Sequence, residues 1–228
     1  MKITRQTLDR SLALPESYNA FFSLPIVKGG YSGVSVYSKS SVAVPQKVEE
    51  GLSGRLQSGL KPPLSPEERI SQRLPQAHEM DLMEDEVSNS HNDLLELDKE
   101  GRAIMLDFGL FVLINVYCPN ETSDSRLPYK VNFHLLLQER VRLLVEVDKR
   151  EVIVVGDINV CAAPIDHCDG ELPSNKEEFW AHPARKWLHE WLHPIGPMVD
   201  VVRNCWPERK GMFTCKCFHA SFPRVRTL

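Results

Sequence analysis

Asp157 and Asn159 are the residues of this chain whose types and spacing point most directly to chemistry. They follow the apolar run Val152–Val155 and a glycine, and they stand two positions apart. Side chains alternate along an extended chain, so residues at this spacing share one side of it. A carboxylate and a carboxamide placed together can accept a proton, contact a phosphate oxygen or hold a hard cation. The alternative is a plain strand-end turn, because Gly, Asp and Asn are all common in turns.

A second pair of polar side chains, Tyr117 and Asn120, follows another apolar run. Pro119 lacks a backbone N–H and cannot donate within a sheet, so the predicted strand Phe111–Tyr117 ends just before it. A phenol and a carboxamide at that strand end can both donate hydrogen bonds to a phosphate. The alternative for Tyr117 is a half-buried aromatic side chain whose hydroxyl is satisfied nearby.

A third candidate segment is rich in glycine. Gly29-Gly30-Tyr31-Ser32-Gly33 precedes Val34–Tyr37, which alternates like a half-buried strand. Glycines allow a backbone to approach a ligand closely. Taken alone, however, the segment favours an ordinary loop before a strand.

These side chains need a sheet to bring them together. The residues of Val152–Val155 are all β-branched, which is typical of a strand buried on both faces. In α/β folds such strands end at a common edge of the sheet, where ligands bind. A further strand is predicted at Ala103–Phe108.

Two helices are predicted from apolar periodicity. Residues 131–148 keep an apolar stripe at helical spacing, and residues 183–193 do the same over a shorter stretch. Trp187 and Trp191 stand four positions apart in the second helix, so we expect them to pack in the core rather than to stack on bases. Three histidines flank this helix and are predicted to be surface groups: His182, His189 and His193.

Residues 46–100 differ in composition from the rest of the chain. They are rich in proline, glycine, serine and acidic residues, which is typical of a solvated, mobile surface loop. A partner-binding or strand-guiding insert is the functional alternative. Ser65-Pro66 resembles a helix start and predicts a short helix over Glu67–Arg73. Asp98–Arg102 is predicted to be a hairpin turn, with a solvated arginine at its end.

The composition limits the class of protein. At 228 residues and 26.0 kDa, the chain is long enough for one sizeable domain. A net charge of −4 argues against a protein that coats nucleic acid generically, although local basic groups can still attract phosphate. No run of ~18 apolar residues is present, so no membrane span is expected. The cysteines form no regular framework, and Cys215-x-Cys217-x-His219 lacks the spacing of a zinc finger.

Together and in this order, the motifs resemble those of the exonuclease III-type endonuclease/exonuclease/phosphatase family. The resemblance is strongest to its eukaryotic AP endonuclease 2 branch, the fungal kind in particular, and it covers residues 1–215. Tyr-x-Pro-Asn followed by Gly-Asp-x-Asn-Val roughly forty residues later is specific as a pair. The matching segments are Gly30–Gly33, Gly101-Arg102, Tyr117–Asn120, Gly156–Val160, Ile165-Asp166 and Phe213-Thr214.

The resemblance implies a fold, an activity and partners. The fold is a four-layer α/β sandwich, in which two mixed β-sheets lie face to face and are flanked by helices. The activity is Mg²⁺- or Mn²⁺-dependent hydrolysis of phosphodiester bonds in double-stranded DNA, at abasic or 3′-blocked sites. The family's members of this branch are nuclear, and we expect a monomer with a sliding clamp as a further candidate partner.

The resemblance also implies roles for individual residues. Asp157 would orient or deprotonate the attacking water, and Asn159 would hold the scissile phosphate; both would be metal ligands. Tyr117 and Asn120 would stabilise the charge that develops on the phosphoryl group. The positions implied to contact DNA are Tyr31, Arg102, Asn120 and Asp166.

The chain departs from the family's pattern at both ends. The family's metal-binding glutamate and its closing aspartate and histidine have no counterpart here, and residues 216–228 match nothing in the family. We therefore expect a fold that is incomplete at its N- and C-terminal strands. Asp157 and Asn159 alone are few ligands for Mg²⁺, which predicts a weak or inactive nuclease. Two other functions stay open: another phosphodiesterase of the superfamily, and a non-catalytic fragment that binds DNA or a partner.

Overall fold

The computed structural model describes residues 4, 6–26, 32–56, 64–84, 94–167, 172 and 179–212. The chain divides into two compact units, Met1–Asn159 and Val160–Leu228. The predicted boundary between a domain of residues 1–215 and a tail of residues 216–228 lies outside the described residues and stays a prediction.

The first unit alternates strands with short and long helices. A π-helical segment, Leu143–Val147, continues its longest helix, and single 3₁₀ turns lie at Ala77–Glu79 and Asp124–Arg126. The elements in chain order are α1 (Arg10–Ala13), β1 (Tyr18–Ser23), β2 (Val34–Lys39), β3 (Lys47–Glu50), α2 (Leu94–Asp98), β4 (Ala103–Asp107), β5 (Val112–Tyr117), α3 (Leu127–Arg142) and β6 (Val152–Asp157).

The strands of this unit form two sheets. β1 and β2 pair antiparallel, and the second sheet has the order β3, β4, β5, β6. In the second sheet β5 and β6 are parallel, because α3 returns the chain between them, whereas the other neighbours are antiparallel. The predicted α/β class with two packed sheets is confirmed. The apolar cluster between the sheets consists of Val34, Ile104, Leu106, Phe21, Val36, Val48, Phe108, Leu113 and Tyr117.

Helix α3 lies on the other face of the second sheet. Val48 of β3 faces the cluster between the sheets, so the next residue, Glu49, points to the opposite side. There both oxygens of Glu49 accept hydrogen bonds of 3.0 Å from Nη2 of Arg140 in α3, and both side chains are buried. The predicted helix is confirmed, although it begins at Leu127, where Pro128 suits the first turn.

The prediction that residues 46–100 form a surface loop is wrong for much of the described part. β3 lies within this segment and pairs with β4. The buried carboxylate of Asp98 accepts hydrogen bonds from the backbone N–H groups of Leu52 and Ser53, at 2.7 and 2.9 Å. Composition did not predict this ordered structure, because a few buried residues between polar ones are enough to hold the backbone of a segment in place. Residues 57–63 and 85–93 lie outside the described part.

Two local predictions inside this segment are also wrong. Residues 67–73 form turns rather than a helix, because the N–H of Ile70 donates to Glu49 and the carbonyl of Arg69 accepts from Lys47. These contacts with β3 replace the bonds of a helix. The turn at residues 98–102 joins helix α2 to β4, so it is not a hairpin turn.

Strand β6 is not buried on both faces as predicted. Ile153 is 45% exposed and Val155 is 40% exposed, whereas Val152 and Val154 are half-buried. Among the described strands, β6 pairs only with β5 and therefore forms an edge of the sheet. A run of β-branched residues thus predicted the strand correctly but not its place in the sheet.

The second unit is mainly helical where it is described. It contains a 3₁₀ turn at Pro164–Asp166, helix α4 (Pro183–Trp191) and helix α5 (Val201–Cys205). The rings of Trp187 and Trp191 are buried with centroids 5.0 Å apart, which confirms that these tryptophans pack in the core. His189 and His193 are exposed as predicted, but His182 is half-buried and caps α4 through Nδ1, 3.3 Å from the N–H of Ala184.

No helix in the described part of either unit combines the length and the apolar character that crossing a bilayer requires.

Candidate active site at the ends of two parallel strands

The ends of β5 and β6 lie side by side in the first unit. Tyr117 and Asp157 are register partners, the last pair of the parallel ladder. Paired residues of parallel strands project to the same face of the sheet, so the phenol and the carboxylate share a face. Tyr117 is half-buried against the cluster between the sheets, whereas Asp157 is exposed. The edge of the sheet therefore presents an acid to solvent beside an anchored phenol.

Asn159 is tied to both strand ends. Its backbone N–H donates to Oδ1 of Asp157 at 2.9 Å, and its side-chain Nδ2 donates to the carbonyl of Cys118 at 2.8 Å. The N–H of Cys118 in turn donates to the carbonyl of Asp157 at 2.8 Å. These bonds orient the carboxamide so that Oδ1 is the atom left to face a ligand. Asn159 has φ +54°, a left-handed conformation that asparagine tolerates better than most residues.

The glycine before the acid allows the two strands to come this close. Gly156 has φ +113°, and a Cβ atom there would lie 2.0 Å from the carbonyl oxygen of Val116 on β5. A larger residue would therefore push β6 away from β5 at the point where Asp157 and Tyr117 meet. In the Gly-Asp-x-Asn motif, the glycine is therefore required for the packing of the two strands, and the Asp and Asn supply the polar groups.

Asn120 lies just beyond the same strand end. It follows the buried residues Cys118 and Pro119, and it is exposed. Its Oδ1 atom accepts a hydrogen bond of 2.8 Å from the N–H of Glu121. The structure thus joins Tyr117, Asp157 and Asn159 through register and hydrogen bonds, while the Asn120 carboxamide is oriented by its own turn.

Cys118 sits beneath these polar groups and is fully buried. Burial, and then the nearby charge of Asp157, raise the pKa of the Cys118 thiol far above its ordinary value. The thiol is therefore neutral, and its sulfur serves packing rather than nucleophilic chemistry.

Arg102 is buried beside Tyr117 rather than solvated as predicted. It is 4% exposed, and its Nη1 donates to the carbonyl of Tyr117 at 2.9 Å. The guanidinium carbon lies 4.9 Å from the centroid of the Tyr117 ring, and Nε donates to Glu100 at 2.6 Å. The direct contact of Arg102 with DNA stays a prediction, but the geometry ties this residue first to Tyr117.

The remaining predicted contacts with DNA lie elsewhere. Tyr31 falls outside the described residues, although its neighbour Ser32 is buried and donates through Oγ to the carbonyl of Glu100. Asp166 belongs to the second unit, where Arg203 donates to its Oδ1, through Nε at 2.9 Å and also through Nη2. The carboxylate of Asp166 therefore serves an ion pair within its own unit.

Several residues near the site were missed by sequence reasoning. Glu100 and Arg126 form an ion pair beside Arg102, with Nη2 of Arg126 2.6 Å from Oε1 of Glu100. His134 of α3 is buried, and its Nε2 lies 3.2 Å from the carbonyl of Ile158, between the acid and the carboxamide of the motif. Nothing in the local sequence marks these residues, because their partners are distant along the chain.

A divalent cation fits this site only in part. Asp157 offers one carboxylate and Asn159 one carboxamide oxygen, which are ligand types that Mg²⁺ takes. Within the described ranges, no group of three or more His, Cys, Asp or Glu residues is arranged to hold a metal ion. Mg²⁺ often binds through one or two carboxylates, waters and substrate phosphates, so the present donors suit an ion that a phosphate helps to hold.

Comparison with known proteins finds relatives that share one name. The chain is 33% identical over 224 residues to DNA-(apurinic or apyrimidinic site) endonuclease 2 of Schizosaccharomyces pombe, covering 94% of this chain and 40% of that protein. It is 33% identical to the human protein of the same name, covering 94% of this chain and 41% of that protein. The chain thus spans about two fifths of the length of these curated relatives. No family model matches it.

Among solved structures, the chain is similar to a 3′-5′ exonuclease, NExo, from Neisseria meningitidis. The TM-score is 0.49 at 19% sequence identity, and the match covers 86% of this chain and 62% of the other.

Proposed function

Because the chain belongs to the exonuclease III-type nucleases and aligns with their AP endonuclease 2 members, we propose that it acts on phosphodiester bonds in damaged DNA. The reaction is hydrolysis beside abasic sites, together with 3′–5′ exonuclease and 3′-phosphodiesterase activity. The observation that supports this proposal is the register of Tyr117 with Asp157, with Asn159 bound to the same strand end.

The residues at this edge suit attack of water on a phosphodiester. Such an attack builds negative charge on the non-bridging oxygens, and fixed donors stabilise that charge. Asp157 is exposed and accepts the Asn159 N–H through Oδ1, which leaves Oδ2 to orient a water molecule and take its proton. As the water oxygen bonds to phosphorus, the P–O ester bond breaks and the departing oxygen takes a proton from solvent. Tyr117 and Asn120 donate to the phosphoryl oxygens, and Asn159 holds the phosphate.

Mg²⁺ or Mn²⁺ is the proposed cofactor. Asp157 and Asn159 would hold it, and when bound it supplies positive charge against the developing phosphoryl charge. Because these two residues are a sparse ligand set, we propose that the cation binds weakly without DNA and that cleavage by this chain is slow.

A second function, DNA binding without cleavage, is favoured by one observation. Among the residues that the structure describes, no three acidic, histidine or cysteine side chains gather into a metal site. A calorimetric titration of Mg²⁺ into the complex of the chain with abasic DNA, with DNA alone as the blank, separates the two functions. A nuclease should show extra heat from the cation in the complex, whereas a binding protein would keep its affinity for DNA and show none.

The test of the proposed function is an oligonucleotide assay with a single abasic site. We expect the chain to bind this duplex and to cut it slowly when Mg²⁺ is present, and we expect Asp157→Asn to bind but not to cut. A duplex without the lesion and a panel of phosphoinositides are the substrate controls. Neither binding nor cutting of the abasic duplex would overturn the proposal.

We further propose nuclear DNA as the setting, with double-stranded DNA bearing abasic or 3′-blocked ends as the substrate. The chain would act as a monomer, and a sliding clamp is the candidate protein partner. Sedimentation of the chain with and without DNA tests the monomer, and a pull-down with purified clamp tests the partner.

A further inference from the structure

The side chain of Glu100 bridges two arginines from different parts of the first unit. Both of its oxygens accept from Nη2 of Arg126, at 2.6 and 2.7 Å, and Oε2 also accepts from Nε of Arg102 at 2.6 Å. Arg126 ends the 3₁₀ turn before α3, whereas Arg102 lies two residues beyond Glu100. One carboxylate thus links the turn after α2 to the start of α3.

Arg102, which Glu100 holds in place, contacts Tyr117 in three ways. Its Nη1 holds the carbonyl of Tyr117, its guanidinium lies over the Tyr117 ring, and its own carbonyl accepts the Tyr117 N–H at 2.8 Å. A cation over an aromatic face is attracted to it, more strongly when water is excluded. The orientation of the phenol at the strand end therefore depends on where the guanidinium is held.

The backbone around Glu100 is held as firmly as its side chain. Its carbonyl accepts the hydrogen bond of the buried Ser32 hydroxyl. The next residue, Gly101, has φ +63°, and a Cβ atom there would lie 2.3 Å from the carbonyl carbon of Leu24. The turn is therefore seated against the segment after β1, and Glu100 has a fixed starting point from which to reach both arginines.

The charges explain why the carboxylate is needed. The Arg126 guanidinium lies over the Tyr129 ring at 4.0 Å, and the Tyr129 hydroxyl donates to the carbonyl of Leu97. Burial raises the pKa of Glu100, but the bonds from Arg126 and Arg102 outweigh it and hold the pKa below its ordinary value. The carboxylate is thus ionised at neutral pH and separates two cations that would otherwise repel each other.

We propose that Glu100 is a positioning residue for Tyr117: by holding Arg102 against the phenol, it fixes the side chain that faces the DNA phosphate. The DNA part of this inference rests on the proposed function. The placement of Tyr117 by Glu100 does not, so the two can be tested separately.

The placement is tested by fluorine NMR of the chain labelled with 3-fluorotyrosine. The chain has five tyrosines, and Tyr117→Phe identifies the resonance of interest. We expect Glu100→Gln, which keeps the shape but removes the charge, to shift or broaden the Tyr117 resonance. The matched control is Glu146→Gln, which removes the carboxylate of the exposed pair between Arg142 and Glu146. An unchanged Tyr117 resonance in a folded Glu100→Gln protein would overturn the proposal.

The consequence for DNA is tested by a double-mutant cycle on cleavage of the abasic duplex. We expect Glu100→Gln to lower the single-turnover rate ~10-fold, less than the ~100-fold that a displacement of 1 Å can cost. In a Tyr117→Phe background the same change should have little further effect, because the positioned group is already gone. Equal effects in both backgrounds would overturn the proposal. If the wild-type chain neither binds nor cuts this duplex, the proposed function fails, and the fluorine resonance alone decides the role of Glu100.

Discussion

The two strand ends that form the candidate site are supported in different ways. At the end of β5, Tyr117 rests on the buried Arg102, which is itself held by Glu100. At the end of β6, Asp157 is exposed; its backbone is paired with β5, but its carboxylate accepts the N–H of Asn159 in the turn that follows. The phenol is built into the core of the unit, whereas the acid is placed at its surface by a local turn.

This difference predicts how the two ends respond to change. A group supported by a buried ionic network loses stability and orientation together when the network is cut. An exposed group on a local turn loses its chemistry but costs the fold little. Substitutions at the two strand ends should therefore separate loss of function from loss of stability.

The largest effect is expected from Asp157→Asn. If Asp157 takes a proton from the attacking water, cleavage of the abasic duplex should fall by ~100-fold or more, the range for a general base. Because the side chain is exposed, the free energy of unfolding should change by no more than about 0.5 kcal/mol. Single-turnover cleavage and urea denaturation measure the two quantities. Glu151→Gln, an exposed acid just before β6, is the matched control, and a similar loss of cleavage there would remove the special role of Asp157.

The next effect is expected from Arg102→Met, on stability. Breaking a buried ion pair costs about 3 kcal/mol, at the lower end of the usual range here because Glu100 keeps Arg126 as a partner. Urea denaturation measures the loss. The control is Arg73→Met, which cuts the more exposed pair with Glu79 and should cost no more than about 1 kcal/mol. Equal losses in the two variants would show that the β5 end is not supported by its ionic network.

A smaller effect is expected at Asn159. Asn159→Ala loses the bond to the Cys118 carbonyl and places at φ +54° a residue that tolerates the left-handed conformation less well than asparagine, which together should cost about 1–2 kcal/mol. Asn159→Gly accepts this backbone conformation and should be the more stable of the two variants. Both should cleave poorly, since neither has a carboxamide. Thermal unfolding of the two variants measures which is more stable. A glycine variant no more stable than the alanine variant would show that the left-handed backbone at position 159 is not strained by alanine.

The smallest effect concerns pH. The pKa of Glu100 is below its ordinary value of 4.5 in the folded chain, so its contribution to stability is complete above 4.5 and is lost as pH falls through the folded pKa. The stability gap between wild type and Glu100→Gln should therefore narrow in acid. Urea denaturation over a pH series measures the gap. A gap that stays constant in acid would show that the charge of Glu100 contributes nothing.

Sequence patterns predicted the functional side chains of the site better than they predicted the buried residues that hold those side chains in place. Alternation and apolar runs placed Tyr117 at the end of β5 and Asp157 at the end of β6, and both strand ends are observed. The same reasoning treated Arg102 as a solvated turn residue and residues 46–100 as a surface loop. Both errors have one cause, because the partners of buried polar groups such as Asp98 and Arg102 are distant in sequence and no local pattern reveals them.

The amino-acid sequence alone determined the α/β class of this chain and its longest helices. It also determined the carboxylate, the carboxamide and the phenol that follow the ends of two strands. Those features follow from local rules, since side-chain periodicity and turn-forming residues act over a few positions. The tertiary structure alone decided that Tyr117 and Asp157 are neighbours, that β6 is at the edge of the sheet among the strands described, and that Glu100 joins two arginines behind the phenol. These depend on strand register and on charges that meet only after the chain has folded.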